Sequence, residues 1–189
     1  QVGNNGFEEY SIQSFKTVGT TLAIFTKTYY VDWYLLYKSS DRWWAVNSTA
    51  TLDSDITTEY VNCKCFPTVN VTSVSHSGKA AVSIASIAVT DYGAPDGIKG
   101  DAIAGEVFIG TADNSGQHTG GHLTDGHSFS SRPTSLSFWH KFECYKSDPY
   151  HVEIQILDSN DEVIGSGKKT DGKSSVTYWS QITIPIEYE

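Results

Sequence analysis

Arg132-Pro133-Thr134-Ser135-Leu136-Ser137-Phe138-Trp139-His140-Lys141-Phe142 is the stretch whose reading decides the fold. Pro133 lacks a backbone donor and confines Arg132 to extended geometry, so it marks a strand entry rather than a strand centre. Beyond it the residues alternate. Leu136, Phe138 and Phe142 fall on one side, and Ser135, Ser137, Trp139 and Lys141 on the other. The first set offsets the entropy of ordering by burial against a second sheet. His140 shares that side and is expected as a hydrogen-bonded core histidine. Trp139 is the odd member of the other side, a large aromatic among serines and a lysine.

Working outward, the same period recurs. Val152, Ile154 and Ile156 alternate with His151, Glu153 and Gln155, and a turn at Asp158-Ser159-Asn160-Asp161 returns the chain through Val163 to Lys168. Val176, Tyr178, Ile182 and Ile184 form an inward set, against Thr177, Trp179, Gln181 and Thr183. Toward the N-terminus, Asn4-Asn5-Gly6-Phe7-Glu8-Glu9-Tyr10 begins with a turn signal, and Thr20 to Tyr37 reads as one or two strands. Adjacent strand residues face opposite ways, so one of Trp43 and Trp44 is expected in the core and the other outside. Val82 and Ile84 sit in one phase and Ile87 and Val89 in the other, which predicts a bulge near Ala85 or Ser86. Ala104 to Gly110 is a short strand. Leu52 to Tyr60, Asp91 to Asp101 and Thr111 to Ser131 read as irregular connections. Many short strands without a helical pattern predict an all-β protein, a two-sheet antiparallel β-sandwich of jelly-roll type. No repeat or composition break divides the chain, so a single domain over 1–189 is expected.

Composition agrees and excludes some functions. Aromatics make up 13% of the 189 residues, which suits strands. A net charge of −9 with no basic stripe argues against nucleic acid, because nothing would displace counterions from phosphates. No apolar run reaches the length of a transmembrane segment. The chain starts at Gln1 and has no methionine, which reads as a processed or trimmed product. Cys63, Cys65 and Cys144 are too few for a disulfide framework, although either of the first two could meet Cys144 in an oxidising compartment.

Two resemblances rest on residues quoted from the chain. Asn4-x-Gly6-Phe7-Glu8, with Ser75-His76-Ser77-Gly78-Lys79-Ala80-Ala81 before a strand, is similar to jelly-roll carbohydrate-binding modules. That similarity implies a structural calcium, with Glu8 as one ligand and an aspartate near the C-terminus as another. Gly105-Glu106-Val107-Phe108-Ile109-Gly110, Gly126-His127-Ser128-Phe129-Ser130-Ser131-Arg132-Pro133-Thr134-Ser135-Leu136 and Trp139-His140-Lys141-Phe142 together resemble the carbohydrate metabolism domain (PCMD) family of Bacteroidetes surface lipoproteins. The close at Ile184-Pro185-Ile186-Glu187-Tyr188 fits as well. The resemblance implies an exported protein at the outer-membrane surface or in the periplasm, lipid-anchored through a removed N-terminal segment. Family members run on into further strands, so this chain is expected to lack the last C-terminal ones. The family supplies no catalytic residue.

The outward phases give Trp139, Lys141, Glu153, Gln155, Trp179 and Gln181 as carbohydrate-binding candidates. Sugars need that mixture, since an apolar ring face packs on indole while hydroxyls bond to amide and charged groups. The bland alternative places these tryptophans under loops or on opposite sheets. Arg132 is expected in a carboxylate pair. Glu153 and Asp158 superficially suit a glycoside hydrolase, but Gln155 stands where a second carboxylate would be needed. His118, His122, His127 and Asp125 contain metal-ligand chemistry on a glycine-rich loop that does not fix them on one face. Asp53, Asp55 and Glu59 lack the calcium-loop pattern. Asn47-Ser48-Thr49 and Asn70-Val71-Thr72 match the glycosylation pattern. The reading is therefore a non-catalytic glycan-binding module of an exported protein, with polysaccharide or oligosaccharide as partner. A structural or adhesion domain docking another surface protein is the alternative, and a glycoside hydrolase the lesser one.

Overall fold

The computed structural model describes residues 3, 5–21, 25–37, 42–47, 67–88, 102–113, 122–124 and 126–189. Among these residues there is no helix, and every paired strand is antiparallel. The all-β class is therefore as expected. Contacts group the chain into two compact units, Gln1–Ser128 and Phe129–Glu189.

The first unit opens with a long hairpin of β1 (Ser11–Thr21) and β2 (Phe25–Leu35), in register from Ser11 opposite Leu35 to Thr21 opposite Phe25. The strand run thus begins well before Thr20. Short pairs follow: β3 (Trp44–Val46) with β8 (Val107–Ile109), and β4 (Val69–Thr72) with β5 (Ala81–Ile84). β6 (Ile87–Ala88) pairs with β7 (Ala102–Ile103), so at Ala85-Ser86, where a bulge was expected, the strand ends and the chain changes partner. β9 (Thr111–Asp113) and β10 (His122–Thr124) pair within the stretch expected to be irregular, a correction to that reading.

Leu36, Val46 and Val69 form the buried core of this unit, with Phe7, Trp44, Val71, Val82 and Val107 packed around them. Full burial of such side chains contributes about 1.5–3 kcal/mol each. Phe7 has φ 54°, a left-handed conformation costing about 1–2 kcal/mol that its packing on Trp44 at 5.1 Å offsets. Trp43 and Trp44 are both half-buried, not one in and one out. Trp44 Nε1 donates to the Gly3 carbonyl at 3.1 Å, while the Trp43 ring stacks on His127 at 3.6 Å.

The second unit is a small sandwich. One sheet pairs β11 (Ser135–Phe142) with β14 (Val176–Pro185). The other orders β12 (Tyr150–Leu157), β13 (Val163–Asp171) and β15 (Glu187–Tyr188). β11 alternates as read, with Leu136, Phe138, His140 and Phe142 on the more buried side. Tyr150 on β12 meets Phe142 at 4.9 Å and His140 at 5.5 Å, so the inner rows of the two sheets face each other. Gly167 on β13 is required by this approach, because a Cβ there would strike the Pro185 carbonyl oxygen. Ile182, Ile184 and Ile186 are the buried residues of the last strands. At Ile186, whose N–H donates to the Thr134 carbonyl at 3.0 Å, the chain passes from the first sheet to the second. Tyr188 donates to the Pro133 carbonyl at 2.8 Å and carries the Arg132 guanidinium over its ring at 4.0 Å. Arg132 therefore has an aromatic face as its partner, where a carboxylate was expected.

Candidate functional site

The period of β11 sends Ser135, Ser137, Trp139 and Lys141 outward, and all four are exposed. The register of β14 supplies their neighbours. Trp139 stands opposite Gln181 and Ser137 opposite Thr183, whose hydroxyls hydrogen-bond at 2.9 Å. Lys141 Nζ lies over the Trp179 ring, 5.3 Å from its centroid, where the negative face of the indole attracts the ammonium. Four of the six candidates, Trp139, Lys141, Trp179 and Gln181, thus occupy one sheet face, and Trp139 is 44% exposed.

The register slips at the end of this face. His140 pairs with Ser180 and Phe142 with Val176, so two steps on β11 span four on β14. Such a bulge increases local twist and re-aims side chains. Tyr178, expected on the inward side, is instead 71% exposed beside Trp179. Simple alternation could not reveal it, because Tyr178 lies in the bulge between Val176 and Ser180, where β14 has no register partner on β11.

Glu153 and Gln155 are exposed on β12, in the other sheet. Since the inner rows of the two sheets face each other, the outer faces point in opposite directions. The six residues do not form one surface. Gln155 Nε2 donates to Glu153 Oε1 at 2.8 Å, and Glu153 stands opposite Lys168. The hydrolase reading gains nothing from Asp158, whose Oδ1 accepts from the N–H groups of Asn160 at 2.7 Å and Glu162 at 3.0 Å. These bonds hold its pKa below the ordinary aspartate value, the opposite of what a general acid needs.

Behind the face, His140 Nδ1 is 3.0 Å from the Ser180 carbonyl, which can only accept, so this nitrogen carries the proton. The other ring nitrogen, Nε2, lies 3.3 Å from the Tyr150 hydroxyl. Burial, and secondarily the charge of Asp171, raises the Tyr150 pKa. This is the hydrogen-bonded core histidine expected from the sequence.

The two segments that carry the carbohydrate-module resemblance do meet in the first unit. Glu8 Oε1 accepts from Lys79 N–H at 2.6 Å, and Ser75 Oγ donates to the Gly78 carbonyl at 3.3 Å. Gly78 has φ 72°, and a Cβ there would strike Glu8 Oε1. In this geometry the glutamate caps a turn. Among the described residues no three His, Cys, Asp or Glu side chains gather as a metal site.

Asn47 is a node that sequence reading did not single out as structural. It is 2% exposed; its Nδ2 donates to the Ala104 carbonyl at 2.7 Å. Its Oδ1 accepts from Thr68 Oγ1 and from Glu106 N–H, each at 2.8 Å. The glycosylation pattern at Asn47 is therefore incompatible with this fold, because Nδ2 is buried and bonded. His127 stacks on Trp43, and Cys144 is a half-buried free thiol. His118, Asp125, Asp53, Asp55, Glu59, Cys63 and Cys65 lie outside the described residues, and of His122 only its place in β10 is described.

Compared with protein-family models, with curated proteins and with solved structures, the chain matches none of them. No helix among the described residues is long and apolar enough to cross a membrane.

Proposed function

We propose that this protein is a non-catalytic glycan-binding module of an exported bacterial surface protein, with the outer face of β11 and β14 as its platform. The observation that carries the reading is the placement of Trp139 opposite Gln181, beside the Lys141–Trp179 pair, on one exposed sheet face. Rigid strands hold an apolar ring surface next to amide, hydroxyl and ammonium groups, the mixture a sugar needs. Tyr178 adds a further exposed ring at the bulge. A scaffold or adhesion domain that docks another surface protein is the second reading. Exposed tyrosine and tryptophan favour it too, because both are enriched at interface hot spots.

Tryptophan fluorescence during titration with plant and host polysaccharides tests the proposal. A saturable change is expected, weakened on the order of ten-fold by Trp139→Ala or Trp179→Ala with the far-UV spectrum unchanged. Saturable binding that survives both substitutions would remove this face from the argument. Capture of a protein partner that depends on Trp139, with no glycan response, would favour the second reading.

A further inference from the structure

We infer that the ligand of the β11–β14 face is an acidic polysaccharide, a uronate polymer whose sugar ring lies on indole while its carboxylate pairs with Lys141. The inference rests on the glycan reading and adds the chemical class of the ligand.

Charge placement carries it. The chain has a net charge of −9, yet the outward residues Ser135, Ser137, Trp139, Lys141, Gln181 and Thr183 include one cation and no carboxylate. The nearest acid along β11 is Glu143, beyond the end of the strand. The outer face of the other sheet differs, since Glu153 there stands opposite Lys168. The Trp179 quadrupole holds the Lys141 ammonium at 5.3 Å but leaves its formal charge intact. A neutral sugar could take its hydrogen bonds from Gln181 and the hydroxyl pair of Ser137 and Thr183. A carboxylate stacked beside the indole gains a charge-assisted bond that such a sugar lacks. The acidic surface elsewhere disfavours indiscriminate polyanion binding, so selection falls to this one position.

The test uses the full chain with polygalacturonate and alginate, each compared with its carboxyl-reduced counterpart, which keeps ring and linkage but loses the charge. Wild type is expected to bind the uronate forms about five-fold more tightly than the reduced forms, the upper range for a solvent-exposed ion pair. Lys141→Gln is expected to bring binding of the uronate forms down to the level of the reduced forms, so that the preference is lost, and Lys141→Arg retains the preference. Equal or tighter binding of the reduced polymers overturns the inference and leaves the glycan platform standing. Absence of Trp139-dependent binding to all four polymers overturns both.

Discussion

Replacing Asn47 with alanine probes the polar node on which the first unit depends. The side chain makes three hydrogen bonds, to Ala104, Thr68 and Glu106, and its own N–H donates to the Glu106 carbonyl at 3.2 Å. Asn47→Ala leaves three partners unmatched, but their losses differ. Ala104 is exposed, so water can replace the lost donor at its carbonyl. Thr68 is 0% exposed, and its hydroxyl has no such recourse. A buried polar group left unsatisfied costs about 1–3 kcal/mol. With the part-buried Glu106 N–H added, the expected loss is about 3 kcal/mol, a large fraction of the roughly 5–15 kcal/mol that stabilises a domain. Thr68→Val removes only one bond, leaves Glu106 N–H on Asn47 Oδ1, and should cost about 1 kcal/mol. The double variant should lose less than the sum, because valine removes the hydroxyl that Asn47→Ala orphans. Urea unfolding gives the energies, and hydrogen exchange at the Glu106 amide gives a local readout. An Asn47→Ala protein within about 0.5 kcal/mol of wild type, with Glu106 still protected, would refute the node.

Two further perturbations address the turns. Glu8→Ala should free the Lys79 amide and cost about 1 kcal/mol, with Glu8→Gln retaining most of the stability; a melting temperature raised by calcium in wild type but not in Glu8→Ala would support the metal role instead of the cap. Asp158→Ala should lower stability at neutral pH, because its folded pKa lies below the unfolded one, so its contribution is present above the unfolded value and lost as pH falls through the folded value. The gap in urea midpoint between wild type and this variant should close as pH falls through the ordinary aspartate range and below it, and a gap independent of pH would contradict the assignment.

Where sequence period is strict, the fold was legible. Pro133 announced β11, and Leu136, Phe138, His140 and Phe142 fell inward as their spacing required. Val152, Ile154 and Ile156 behaved likewise, and His140 found its polar partners within the core. Sheet membership was not legible, because alternation says which side of a strand a residue takes and nothing about which sheet the strand joins. That separates Glu153 and Gln155 from the other four candidates. Tyr178 was lost for a different reason, since a register shift resets the phase locally while composition stays strand-like. Asn47 drew notice only through a three-residue pattern, which is read without burial. Only the convergence of Thr68, Ala104 and Glu106 from distant positions shows its role.

The two faces of β11 and β14 are not independent features. Leu136 pairs with Ile184 and Phe138 with Ile182 on the inner side, and this same register sets Ser137 against Thr183 and Trp139 against Gln181 on the outer side. A slip of one residue would turn every side chain of a strand over, which the burial of Ile182 and Ile184 forbids. The core thus fixes the spacing of the platform, and the outward Ser137–Thr183 bond and Lys141–Trp179 contact are small additions to it. The bulge then adds what strict pairing cannot, because it turns Tyr178 into solvent while Val176 rejoins Phe142. Outward substitutions on this face should therefore change recognition with little effect on stability, whereas inward ones should change both together.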